Sequence, residues 1–166
     1  MKIFFGADHA GYNLKNALLA YVRKLGYEAE DMGPFAYDET DDYPDFIAPV
    51  ARAVAKDPEN TRGIIMGGGG QGEAITANRF KSVRAAVFYG ARMPKSAVDA
   101  SGATSEDPLE IVRLARTHNN ANVLSLAARF LLEDEAKEAV KLWLETPFSG
   151  EERHVRRIRK IEKLSP

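Results

Sequence analysis

The chain is 166 residues long, with 23 Lys and Arg residues against 24 Asp and Glu residues, a formal net charge of -1. This length is typical of one domain with a real core, and the even charge gives no bulk attraction to nucleic acid or anionic membrane. The absence of Cys excludes disulfides, zinc–thiolate sites, iron–sulfur clusters and thiol nucleophiles. No apolar run approaches the ~18 residues of a membrane helix, so we expect a cytoplasmic location.

Five short apolar segments read as β-strands, and segments with helical spacing of apolar residues alternate with them. The predicted strands are 2–8, 28–32, 63–66, 83–89 and 122–127. The predicted helices are 12–22, 46–54, 73–80, 108–117, 134–144 and 151–164. This alternation predicts an α/β fold, Rossmann-like, with one doubly wound parallel sheet of about five strands and helices on both faces. We therefore predict one domain over 1–150 and a basic C-terminal helix over 151–166.

Ligands of such sheets bind outside the carboxyl ends of the strands, so the polar candidate residues are expected to gather there. The loops concerned begin at Asp8, Gly33, Gly67, Gly90 and Ala127. The loop at Gly90 belongs to an unusually long connection, 90–107, made of small and polar residues. A connection of this length suggests either a functional lid or an ordered insertion.

A glycine loop follows the third strand and precedes a helix. It consists of Gly67, Gly68, Gly69, Gly70, Gln71 and Gly72. Several backbone N–H groups could approach an anion here, although a merely tight turn is the alternative. The spacing also fits a dinucleotide fingerprint, but Arg92 stands where an acidic residue is needed, and no Lys follows the last glycine as in a P-loop. Glu73 comes next, either as a carboxylate favourable to the helix dipole or as a base beneath the glycine loop.

The three histidines are His9, His118 and His154, and no pair has the i, i+4 spacing of a helical metal site. Metal binding is therefore not expected, and acid–base work or phosphate contact suits them better. Arg153 and Arg157 lie four residues apart in the terminal helix, a spacing that suits one phosphate group. A solvated basic face and nucleic-acid binding are the alternatives for this helix, which has no predicted partner within its own chain.

Six segments in order give a resemblance to a known family over nearly the whole chain. They are 6–12 (GADHAGY), 42–44 (DYP), 63–79 (GIIMGGGGQGEAITANR), 118–121 (HNNA), 128–129 (AR) and 153–157 (RHVRR). The sequence resembles the sugar-phosphate isomerases of the ribose-5-phosphate isomerase B and galactose-6-phosphate isomerase type. Many members carry a catalytic Cys where Gly67 stands, and a second branch has a Glu at the place of Glu73. A Thr or Ser of the family corresponds to Gly69.

The resemblance implies roles for individual residues and no cofactor or metal. Glu73 would be the catalytic base and His118 would open the sugar ring. The implied substrate-binding residues are Asp8, His9, Tyr43, Gly68, Gly69, Gly70, Gln71, Gly72, Asn119, Arg129, Arg153, His154 and Arg157. The resemblance also implies a homodimer or tetramer in which Arg153 and Arg157 complete the neighbouring active site.

The activity implied is the isomerisation of ribose 5-phosphate to ribulose 5-phosphate through a cis-enediol. A hexose 6-phosphate, of galactose or allose, is the alternative substrate, and a non-catalytic sugar-phosphate sensor is the alternative from a different class. Nucleic-acid binding through the terminal helix is more remote. Segment 90–107 is longer than the family pattern, and Arg92, Lys95 and Ser96 could either contact a different substrate or extend a subunit interface.

Overall fold

The computed structural model describes residues 1–164; Ser165 and Pro166, which the predicted terminal helix includes, lie outside the described residues. Five strands form one parallel sheet in the order β2-β1-β3-β5-β4. The strands are β1 (Lys2–Ala7), β2 (Glu28–Asp31), β3 (Thr61–Gly67), β4 (Ala85–Phe88) and β5 (Val123–Ala127). The helices are α1 (Tyr12–Lys24), α2 (Tyr43–Lys56), α3 (Gln71–Ala77), α4 (Glu110–Thr117), α5 (Glu133–Glu145) and α6 (Glu152–Glu162). The predicted fold class is confirmed.

Two apolar cores lie on opposite faces of the sheet, because successive side chains of a strand point to opposite sides. In β3, Ile64 and Met66 pack into the core that α1, α4 and α5 cover, where Trp143 is fully buried. Ile65 points the other way and packs with Val50 beneath α2 and α3. Burial on both faces explains why the central strands read as continuous apolar runs.

Helix α2 begins three residues earlier than its apolar pattern predicts. The pattern starts at Phe46, whereas the helix starts at Tyr43 and has Pro44 in its first turn. Proline suits this position because its fixed φ is helical and its missing N–H would have no partner there. The earlier start brings Tyr43 to the glycine loop, where a Cβ added to Gly72 would stand 2.7 Å from Tyr43 Cζ.

Segment 90–107 is an ordered insertion without helix or strand. Its ends are fixed by hydrogen bonds from Ala91 N to Glu135 Oε1, 2.5 Å, and from Arg92 N to Pro108 O, 2.7 Å. A turn at its centre is organised by Asp99 Oδ1, which accepts hydrogen bonds from Ser101 and from the N–H of Ala103. Within residues 1–164, no helix has the length and apolar character required to cross a membrane.

Candidate active site

The glycine loop opens toward free space at the carboxyl end of the sheet. Gly70 adopts a φ of 71°, in the left-handed region, and its carbonyl accepts a 2.7 Å hydrogen bond from Ser125 Oγ. Within the described residues, the N–H groups of Gly69, Gly70, Gln71 and Gly72 donate no hydrogen bond. No heavy atom lies within 4 Å of the position that a Cβ of Gly69 would take. The loop therefore presents unpaired donors, and the space beside Gly69 is open.

Glu73 lies directly beneath this loop with only 4% of its surface exposed. A Cβ on Gly67 would overlap Glu73 Oε1 and would stand 3.1 Å from Asp8 Oδ2. The two carboxylates thus meet at the point where a side chain at position 67 would begin. Burial raises the pKa of Glu73, its own backbone N–H opposes that effect, and the nearby charge of Asp8 raises the pKa further. A carboxylate with a raised pKa is a stronger general base.

A pair of cationic side chains flanks the other side of the loop. The Arg129 guanidinium covers Gly68, since a Cβ there would stand 3.2 Å from Arg129 Nη1. His9 follows β1, and its Nδ1 lies 2.7 Å from Asp41 Oδ1. This hydrogen bond is the main cause of the raised pKa of His9, whereas Arg129 acts to lower the same pKa. His9 and Arg129 therefore lie within electrostatic range of each other.

Another group of predicted site residues lies at the amino ends of the strands, opposite the glycine loop. His118 ends α4 and precedes β5, and its ring stacks on that of buried His154 with a centroid distance of 4.2 Å. Asn119, Arg153 and Arg157 are near neighbours of these histidines in the chain. Because β5 has five residues, about 16 Å of strand separates this group from Glu73. The expectation that all polar candidates gather at the carboxyl ends is wrong for this group, since His118 precedes a strand.

Helix α6 also differs from expectation, because it does have contacts within its own chain. Besides the His118–His154 stack, Arg84 Nη1 lies 2.7 Å from Glu162 Oε1. Burial, and secondarily the adjacent His118, lower the pKa of His154. The outer face of the helix remains exposed, including Arg157. Arg153 and Arg157, two of the arginines expected to bind phosphate, are thus held at the end of the sheet away from Glu73, whereas Arg129 lies at the glycine loop.

Comparison with known proteins places this geometry in a family. The family model for ribose/galactose isomerases matches residues 3–104 and 100–161. The chain belongs to the ribose/galactose isomerase family. Ribose-5-phosphate isomerase B of Mycobacterium leprae is 35% identical over 158 residues, which cover 95% of this chain and 86% of that protein.

Solved structures of ribose/galactose isomerases share the fold over nearly the full chain. The ribose-5-phosphate isomerase B of Mycoplasma genitalium, solved with bound ribulose 5-phosphate, superposes with a TM-score of 0.85 at 34% identity, covering 98% of this chain and 95% of that one. The enzyme of Thermotoga maritima gives a TM-score of 0.80 at 36% identity, covering 98% and 97%. The two ranges matched by the family model overlap at residues 100–104, inside segment 90–107.

Sequence reasoning missed one residue of the site. Asp41 lies in the acidic loop 38–42 and is not among the predicted site residues, whereas in the structure it pairs with His9. The two residues are 32 positions apart, so no local spacing connects them. The one available signal was the position of that loop after β2, at the same edge of the sheet as His9.

Proposed function

We propose that this protein is a metal-free aldose–ketose isomerase that converts ribose 5-phosphate to ribulose 5-phosphate. The observation that carries the proposal is the position of the Glu73 carboxylate, buried beneath a loop of unpaired N–H donors and beside Asp8. Isomerisation of an aldose requires a base at carbon 2 and donors for the oxygen that becomes negatively charged. Both requirements fit this arrangement.

The reaction follows from these positions. In the open-chain sugar, Glu73 removes the proton from carbon 2, and the electron pair of that bond forms the double bond of a cis-enediolate. The loop N–H groups stabilise the charge on the carbonyl oxygen. Glu73 then returns the proton to carbon 1, while the hydroxyl proton on oxygen 2 passes to oxygen 1. The product is the 2-ketose, and no proton is lost or gained overall.

The other end of the sugar phosphate is assigned to cationic residues of two subunits. His9 and Arg129 stand beside the glycine loop of the same chain. His118 and the α6 arginines lie at the amino ends of the strands and cannot reach Glu73 of their own chain across the length of β5. We infer that they act on a neighbouring copy, so that each site of a homodimer, or of a tetramer of such dimers, combines one edge of each subunit.

The decisive test of catalysis is proton NMR of ribose 5-phosphate in heavy water with the purified protein and a chelator. We expect ketose to form and the signal of the carbon-2 proton to disappear. Glu73→Gln should abolish both changes, since an amide cannot accept the proton. Glu138→Gln, the same substitution on the exposed face of α5, is the matched control and should turn over normally. Turnover by a purified Glu73→Gln protein would show that another base acts.

Mixed dimers test the composite site. Glu73→Gln and His118→Ala each inactivate both sites of a homodimer, but a heterodimer of the two variants has one site with both residues intact. Random reassembly of equal amounts should recover about a quarter of the wild-type activity. If subunit exchange is demonstrated and no activity is recovered, Glu73 and His118 belong to a site formed within one chain.

The choice of sugar is separate from the chemistry. Segment 90–107 follows Tyr89 at the carboxyl end of β4, the end at which ligands of such sheets bind, so a hexose 6-phosphate is the second candidate substrate. Comparing kcat/KM on ribose 5-phosphate and on allose and galactose 6-phosphates decides between them. Tight binding of all three without carbon-2 proton exchange would instead indicate a sensor. The cytoplasmic location stays a prediction.

A further inference from the structure

Asp41 makes an unusually complete contact with His9. Its Oδ1 accepts two hydrogen bonds from that residue, from the backbone N–H at 3.1 Å and from the ring Nδ1 at 2.7 Å. The side chain of Asp41 is 6% exposed, against 26% for His9. Its second oxygen, Oδ2, is buried and has no hydrogen-bond partner among residues 1–164. A buried carboxylate that is only half satisfied is costly, and such a cost points to a function.

The loop that carries Asp41 is held by its own hydrogen bonds. Asp38 Oδ1 accepts from Thr40 N at 2.9 Å and from Thr40 Oγ1 at 2.7 Å, and Asp41 N donates to Asp38 O at 3.2 Å. These bonds fix the turn immediately before Asp41. The carboxylate is therefore positioned in advance, and it clamps both the backbone and the ring of His9.

The clamp determines what the other ring nitrogen of His9 can do. With Nδ1 engaged by Asp41, Nε2 points away and has no hydrogen-bond partner within the described chain. We propose that Asp41 is a positioning residue that fixes the His9 ring so that its Nε2–H donates to the phosphate of the substrate, together with Arg129. This inference rests on the proposed function, because it assigns a role within the phosphate end of that site.

The charges around His9 decide its protonation. Asp41 and Asp38 face it from the acidic loop, Asp8 from the end of β1, and Arg129 from the segment after β5. The hydrogen bond to Asp41 is the largest influence and raises the pKa of His9, so the ring keeps its proton to higher pH. Without Asp41, His9 would lose its positive charge at a lower pH than in the wild type. Its hydrogen bond to a phosphate would then no longer be charge-assisted.

The test combines Asp41→Asn with two measurements. Titration of the His9 ring signals by NMR should show a lower pKa in the variant than in the wild type. KM for ribose 5-phosphate should rise roughly tenfold at a pH between the two measured His9 pKa values and much less at a pH below both, with kcat within about twofold, because binding and not chemistry is affected. Glu39→Gln, an exposed carboxylate of the same loop, is the control and should change neither quantity.

Each outcome bears on the proposal. An unchanged His9 pKa in folded Asp41→Asn, or a KM increase that is equal between and below the two His9 pKa values, overturns it, as does a loss confined to kcat. Asp41→Glu keeps the charge and should restore part of the pH dependence if the carboxylate acts on His9. If the wild-type protein forms no ketose, the proposed function is refuted. The role of Asp41 can still be tested in that case, by titrating His9 and by following the binding of ribose 5-phosphate through the His9 signals.

Discussion

Replacing Gly67 with Ala should displace the carboxylate of Glu73, the proposed catalytic base, without changing residue 73 itself. The new methyl group would overlap Oε1 of Glu73 and stand 3.1 Å from Asp8 Oδ2. Neither side chain has free room on its buried side, since Glu73 is buried and Asp8 also accepts a 3.1 Å hydrogen bond from Gly11 N. We therefore expect the Glu73 carboxylate to swing away from the glycine loop.

The size of the effect follows from what a positioned base contributes. General base catalysis supplies about 10²–10⁴ in rate, so kcat of Gly67→Ala should fall by a factor in this range. That factor corresponds to about 3–5 kcal/mol in the activation barrier. Forcing one methyl group into a packed site costs about 1–3 kcal/mol of stability, which the protein should survive folded.

Ketose formation from ribose 5-phosphate measures the effect, and two further variants isolate its cause. Gly69→Ala makes the same change two residues along, where the methyl group meets no protein atom and leaves Glu73 in place. The methyl group would project into the space proposed for the substrate, so KM should change while the pH dependence of kcat stays the same. Glu73→Asp is shorter by one methylene, so in the Gly67→Ala background it should cost less than in the wild type. A folded Gly67→Ala protein that keeps kcat within threefold of the wild type would refute this account of the site.

Three further predictions concern charge. Burial raises the pKa of Glu73, so ionisation of this group destabilises the fold as the pH rises from the ordinary Glu value near ~4.3 through the raised value. Glu73→Gln should therefore melt at a higher temperature than the wild type at pH 8, and the difference should vanish near pH 4. Asp8→Asn removes a charge that raises the pKa of Glu73, so the acidic limb of its pH–kcat/KM profile should move to lower pH, beside a general loss of rate. Lys15 is fully buried with its Nζ 2.5 Å from Asp31, so Lys15→Ala should lower the free energy of unfolding by roughly 3 kcal/mol in urea titrations.

The sequence predicted the elements of the fold because burial leaves a strong pattern. Strands covered on both faces, such as β3 and β5, are apolar, and the predicted bounds of all five strands agree with the structure to within about two residues. The edge strand β2 (EAED) is the exception, since it is polar and partly exposed. Helix starts were less certain: α2 begins at Tyr43 because Pro44 can occupy a first helical turn, which an apolar stripe does not reveal. The glycine loop and Glu73 were found because they are contiguous in the chain.

Features that depend on packing between distant segments were not predictable in the same way. The Asp41–His9 pair joins the ends of two different strands, and its partners are 32 residues apart. The grouping of His118 with His154 depends on how α6 returns to the end of α4, which nothing in the local sequence encodes. These contacts follow from topology, so they became visible only when the sheet order was known.

The exchange of a side chain at position 67 for a carboxylate at position 73 is best understood as one change. A side chain at position 67 and the observed position of Glu73 cannot coexist, because the Cβ of the first would occupy the space of the Glu73 carboxylate. A chain that gains the carboxylate must therefore lose the side chain, and a chain that keeps a nucleophilic or basic side chain at 67 has no room for Glu73 in this position. In this chain, which has no Cys, the space beside Gly67 is therefore filled by a carboxylate supplied from the helix that follows the loop, the proposed catalytic base.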